Sequence, residues 1–144
     1  MKLLLTNKKS KLNYHVLESY ECGVSLVGPE VKSLSKSNGN IDEAFVFLKN
    51  HEAYLINMYI APFKQANINN VDPYRKRKLL LHKNQIIRIE QQSKKAHLAI
   101  IPIRLYFQND KIKIEIALCK SKNVRDKRQD IKIRDLKREA KNYH

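Results

Sequence analysis

The chain has 144 residues, enough for one domain and an appendage. Its hydrophobic fraction of 42% supplies a modest core and excludes global disorder. A formal net charge of +15 points to polyanionic partners, nucleic acid before anionic membrane, and no run of 18 apolar residues is present that could span a bilayer as a helix.

Residues 1–11 read as a polar, basic lead-in. MKLLL begins like a signal peptide, but TNKKSK cuts the apolar run short, so a cytoplasmic location is expected. LNYHVLES and CGVSLVG alternate apolar and polar residues, with Tyr14 and Val16 on one face, which predicts strands. PEVKSLSKS predicts a short helix: Pro29 fits a first turn, Glu30 suits the positive end of the helix, and Val31 and Leu34 share a face. NGN at 38–40 ends it as a turn. AFVFLK and AYLINMYIA around NHE predict a hairpin, and PFKQANINNVDPY a loop. RKRKLLLHKNQIIRIEQQSKK carries apolar residues at Leu79, Leu80, Ile86, Ile87 and Ile89 between basic ones, which predicts one amphipathic helix. HLAIIPIRLYF, QNDK and IKIEIALCK predict a second hairpin, with Pro102 at an edge or bulge. About six short strands with one short and one longer helix between them predict a small closed or nearly closed barrel.

Catalytic signatures are absent from this pattern. Gly23, Gly28 and Gly39 form no phosphate-binding or dinucleotide fingerprint, and the five histidines have no metal-ligand spacing. Glu18, Glu21 and Glu30 carry no mark of paired acids. Cys22 and Cys119 lie far apart in apolar segments and read as buried, reduced thiols.

Positive charge clusters in three places: NKKSK near the start, RKRK at 75–78, and the end of the chain. Residues 120–144 hold ten Lys or Arg against four Asp or Glu, with Lys120, Lys122, Arg125, Lys127 and Arg128 within nine positions. Three such clusters favour a polyanion over three solvated faces. Tyr14, Tyr20, Tyr54, Tyr59, Phe63, Tyr74 and Tyr106 add candidate stacking surfaces for looped or single-stranded RNA.

GPEVKSL (28–34), NMYIAPF (57–63), VDPYRKRKLLLHK (71–83), IPIRLYF (101–107) and DKR (126–128) occur in an order and spacing that resembles the SsrA-binding protein family, also called small protein B. DPYRKRKLLLH is the most specific block. The resemblance implies a non-enzymatic adaptor, without cofactor or metal, that binds the tRNA-like domain of transfer-messenger RNA and delivers it to stalled ribosomes. It implies an oligonucleotide-binding-type closed β-barrel with flanking helices over residues 1–119, a monomer when free. On that likeness the RNA face comprises Lys8, Lys9, Lys11, Glu30, Val31, Lys32, Ser33, Asn57 and Tyr59, joined by Arg75, Lys76 and Arg77 of the basic cluster. Residues 120–144, with Lys120, Lys122, Asp126, Lys127, Arg128, Lys132, Arg134 and Lys137, would enter the decoding centre and message channel of the small ribosomal subunit. Departures are local. Leu12 stands where the family has His, Ser35 where it has Arg, Ser37 and His97 where it has Gly, and Arg125 where it has Tyr. A general single-stranded nucleic-acid binder is the alternative reading.

The last segment carries a narrow apolar stripe, Ile133, Leu136, Ala140 and Tyr143, and an Asp130–Arg134 pair worth about 0.2–0.5 kcal/mol to a helix. A lone helix of this length is marginal in water. The tail is therefore expected to be disordered in the free protein and helical on the ribosome.

Overall fold

The computed structural model describes residues 1–63 and 71–122. Asp126, Lys127, Arg128, Lys132, Arg134 and Lys137 of the tail, and the expectations about its order, lie outside the described residues. Among the described residues the protein is mainly β with three helices: β1 (Lys2–Thr6), α1 (Ser10–Asn13), β2 (Tyr14–Val24), α2 (Gly28–Ser35), β3 (Gly39–Asn40), β4 (Phe45–Lys49), β5 (Glu52–Ile56), β6 (Tyr59–Ile60), β7 (Arg77–Leu80), α3 (Lys83–Ala96), β8 (Ala99–Gln108) and β9 (Lys111–Ser121).

Seven strands form one antiparallel sheet in the order β1-β8-β9-β2-β7-β5-β4, and β3 pairs with β6 beside it. The expected closed barrel is not formed. β4 comes alongside β8, but no ladder joins them. The chemistry of β8 accounts for the opening. Its Arg104–Phe107 half is taken by β1, Pro102 has no N–H to give, and a bulge separates Pro102 from Arg104. The carbonyls there are also occupied: Asn7 donates its backbone N–H to Ile103 at 2.8 Å and its side-chain amide to Pro102 at 2.8 Å.

The alternation read in the last strand places Ile114, Ile116 and Leu118 in the core, with Leu55, Met58, Leu79 and Leu105. On the opposite face of β9, Ala117 and Cys119 pack with Ile101 in a second, smaller cluster. Both cysteines are buried and free, and burial raises their thiols to about 12 for Cys22 and about 11 for Cys119.

Two segments differ from the sequence reading. The basic lead-in contains β1, whose Leu4 enters the core. The single helix expected from Arg75 onward is split: Arg77–Leu80 is a strand with Arg77 and Leu79 inward and Lys78 and Leu80 outward, and the helix starts only at Lys83. Helix formers occupy β7 because its slot between β2 and β5 supplies two ladders, and a helix there would leave both without a partner.

Left-handed backbone is adopted here by residues other than glycine. Asn50–His51 and Asn109–Asp110 have positive φ at both positions and close two-residue hairpins of the type whose twist matches the flanking strands. Ser37 (φ 58°) and His97 (φ 52°) end α2 and α3 in the same region. After α2, the Ser37 N–H bonds to Leu34 O and the Asn38 N–H to Ser33 O, the two bonds of a Schellman stop. These are the two positions where the resemblance noted above implies glycine. Both side chains are exposed, so removing them forfeits no packing. Ser37→Gly and His97→Gly are each expected to raise stability by roughly 0.5–1 kcal/mol, the left-handed penalty less the greater freedom of glycine in the unfolded chain. A thermal melt would register a rise of a few degrees; a fall would mean that the stop is not strained.

Candidate nucleic-acid interface

Three pieces of chain meet over residues 40–43 to form a groove of about 630 Å³ lined by Lys9, Asn40, Asp42, Glu43, Asn57, Tyr59 and Tyr74. The first piece is the basic arm. Asn7 is buried and accepts the backbone N–H groups of Lys9 (3.0 Å) and Ser10 (3.1 Å) on its side-chain oxygen, while the Ser10 hydroxyl donates back to Asn7 O at 3.1 Å. This turn opens α1 and leaves Lys8, Lys9 and Lys11 exposed. Nothing in the sequence marked Asn7, because the carbonyls its side chain bonds to, Pro102 and Ile41, are distant in the chain.

The second piece is the β5–β6 connection. Asn57 turns the chain with φ 66° and stays exposed, and Tyr59 lies half-buried in β6. Gly39 of β3 runs so close that a Cβ there would lie 2.8 Å from Tyr59 O. Only glycine lets β3 hold Tyr59 at that separation.

The third piece, residues 71–77, carries Tyr74, whose ring centroid is 5.3 Å from that of Tyr59 at a 44° tilt. Arg77 fastens the second and third pieces together. It is fully buried; it donates to Met58 O at 2.7 Å, just before Tyr59, and to Pro73 O at 3.0 Å, just before Tyr74. Its charge is met by Glu30 of α2, through Nε at 2.7 Å. The other Glu30 oxygen accepts Arg75 at 2.6 Å and the Val27 N–H at 3.1 Å. Burial pushes the Glu30 carboxyl upward, but the bonds from Arg75, the Val27 amide and Arg77 outweigh it and hold the group below the ordinary carboxylate range.

The expected RNA-face residues therefore fall into different settings. Lys9, Asn57 and Tyr59 line the groove, with Lys8 and Lys11 on the same arm. Lys32 is exposed on α2 with its ammonium 5.4 Å from the Phe63 ring, Lys36 at the same distance, and Val31 is half-buried beside them. Lys76 lies 4.5 Å over the Tyr54 ring. Arg75 is half-buried against Glu30. Glu30, Ser33 and Arg77 are buried and spent on internal bonds, Ser33 donating to Ala61 O at 2.6 Å, so they act here as supports for the surface. At the root of the tail, Lys120 pairs with His15 across β9 and β2. Lys122 donates from its ammonium to Lys11 O at 2.7 Å and from its N–H to Asn13 O at 2.9 Å, which joins tail root and arm.

Two acidic side chains that the sequence reading passed over also stand at the groove. Asp42 accepts the Lys8 N–H at 2.8 Å, and Glu43 forms an ion pair with Lys9. The hydrogen bond and charge of Glu43 hold the Lys9 ammonium above its ordinary value. Among the described residues no cluster of three or more His, Cys, Asp or Glu could hold a metal ion.

Residues 4–144 match the family described as SmpB protein. The chain is 51% identical over 143 residues to the SsrA-binding protein of Malacoplasma penetrans (strain HF-2), covering 99% of this chain and 98% of that protein. It is 48% identical over 134 residues to the SsrA-binding protein of Aquifex aeolicus (strain VF5), covering 92% and 85%. It is also similar to a chain of the solved structure "tmRNA-SmpB: a journey to the center of the bacterial ribosome", with a TM-score of 0.70, 37% identity, and coverage of 83% of this chain and 85% of that one. Near-full-length identity of this order, on a shared fold, makes the chain a member of the SmpB family.

Proposed function

We propose that the protein is a non-enzymatic RNA-binding adaptor of trans-translation. Its β body binds the tRNA-like domain of transfer-messenger RNA, and residues 120–144 act at the decoding centre and message channel of the small ribosomal subunit. The work is cytoplasmic, where ribosomes are, and the free protein is a monomer. The sheet with α2 and α3 is the frame of an oligonucleotide-binding-type fold that stops short of closure. Family membership supports the RNA partner, through relatives named for SsrA binding and a related structure named for tmRNA on the ribosome.

The observation that carries the reading at the level of residues is the groove itself. The Lys9 ammonium, an exposed amide and two tilted tyrosines converge on one open surface, beside Asp42 and Glu43, in a +15 protein whose arm also carries Lys8 and Lys11. Such a surface recognises a folded RNA by phosphate contacts and by stacking on unpaired bases. The test is binding to transfer-messenger RNA transcript over a salt series. Replacing Lys8, Lys9 and Lys11 with Ala should weaken binding and flatten the log–log salt slope by about 1.4, roughly 0.7 for each of the two lysines not paired with an acidic side chain. Weaker binding with an unchanged slope would mean that the arm acts through folding. Pull-down from cell extract followed by RNA sequencing separates the readings: enrichment of one tRNA-like, message-bearing RNA supports the adaptor, and an unselective RNA mixture supports a general single-strand binder.

A further inference from the structure

The groove holds a cation, an aromatic face and a carboxylate within one small volume. Lys9 and Glu43 remain 54% and 64% exposed while paired, so the pair is made at the surface and can be opened without disturbing the core. Tyr74 is 56% exposed beside it, with one ring face turned away from Tyr59. The volume of about 630 Å³ lies inside the roughly 300–1,000 Å³ range of sites that take small ligands. An ammonium for a phosphate and a tyrosine face for a base are what one unstacked nucleotide requires. The ammonium, however, already has an oxyanion on it.

We propose that Glu43 stands in for an RNA phosphate on Lys9, so that the groove admits a nucleotide by exchanging one oxyanion for another on the same ammonium while the base stacks on Tyr74. The inference rests on the reading that the protein binds RNA. The exchange has a measurable signature. A free lysine that meets a phosphate releases the cation condensed there. A lysine taken from Glu43 leaves a carboxylate behind that keeps a cation beside the RNA. The Lys9 contact is therefore nearly silent in the salt dependence of the unaltered protein, and becomes visible once Glu43 is neutralised.

The experiment measures binding of transfer-messenger RNA transcript to the full chain over a salt series, for the unaltered protein, Glu43→Gln, Lys9→Ala, the double variant and Tyr74→Ala, with thermal melts to establish that each is folded. Glu43→Gln should tighten binding roughly two- to fivefold, the scale of an exposed ion pair, and steepen the salt slope by about 0.7. In the Lys9→Ala background the same change should give less than half that gain, because only repulsion is then relieved and no pair is opened. Tyr74→Ala should weaken binding roughly fivefold or more while leaving the slope unchanged. Equal gains from Glu43→Gln in both backgrounds would mean that the carboxylate acts by its field alone and would overturn the exchange. An unchanged Glu43→Gln, or full binding by Tyr74→Ala, would overturn it as well. Failure of the unaltered protein to bind the transcript would instead remove the RNA reading, and this inference with it.

Discussion

Arg77→Met is expected to destabilise the protein by about 3–5 kcal/mol, since it removes the fully buried one of the two guanidinium groups paired with the buried Glu30 carboxylate. Against a typical total of about 5–15 kcal/mol, that is a large share of the stability. It also strips the donors from Met58 O and Pro73 O, which precede the two tyrosines of the groove. Urea titration measures the loss, and adding Glu30→Gln to the same chain should return part of it, because a neutral amide tolerates burial better than a carboxylate left with Arg75 as its one charged partner. A loss below about 1 kcal/mol for Arg77→Met would show that the pair is not structural. The pH dependence follows from the same group. The folded carboxyl of Glu30 lies below its ordinary value of 4.5, so the unfolded chain binds the proton more readily. Its contribution is present above that pH and is lost as pH falls through the lower folded value. The urea midpoint should therefore drop on acidification below about pH 4.5, and this component should be missing in Glu30→Gln.

Ending the chain after Lys122 is expected to preserve transfer-messenger RNA binding and abolish rescue of stalled ribosomes. β9 runs to Ser121, two residues past the domain boundary expected at 119, and Lys122 still bonds to Asn13 and Lys11. A stop after Lys122 thus keeps every described element and removes the segment proposed to act at the decoding centre. Leu136→Pro separates charge from helicity. It retains all ten Lys and Arg of residues 120–144 but costs a helix interior about 3 kcal/mol. If induced helicity matters, this variant should fail in peptide tagging as the truncation does, with RNA affinity spared. Normal tagging by the proline variant would leave only an electrostatic tether.

What could be read in advance was whatever has a local signature. The alternation of Ile114, Ile116 and Leu118, the Pro29–Glu30 opening of α2, the Asn109–Asp110 turn and the bulge beside Pro102 are each written within a few residues. Tyr59, Tyr74 and Lys9 were legible as residue types suited to RNA, and the resemblance alone put Asn57, Tyr59 and Lys9 on one face; that Tyr74 joins them in one groove was not legible. The failures share a physical origin. Lys78, Leu79 and Leu80 have helical propensity, and only partners in β2 and β5, far away in sequence, make them a strand. Glu30 and Arg77 are 47 residues apart, and each looked like surface charge until the fold buried them together. The same holds for Asn7, a polar residue in a polar stretch that bonds to carbonyls 34 and 95 residues away.

The pairing of β1 with β8 also fixes an order of events in time. Lys2 is registered against Phe107, so the first strand made waits for almost the last one before it has a neighbour. At roughly 5–20 residues per second, adding the intervening hundred or so residues takes about 5–20 s. Throughout that interval the arm that follows β1 lacks the Pro102 and Ile103 carbonyls to which Asn7 anchors it. Lys9 reaches its place opposite Tyr59 and Tyr74 only when β8 has been made. A nascent chain halted before β8 has the lysines but no assembled groove, so the groove is completed only late in synthesis.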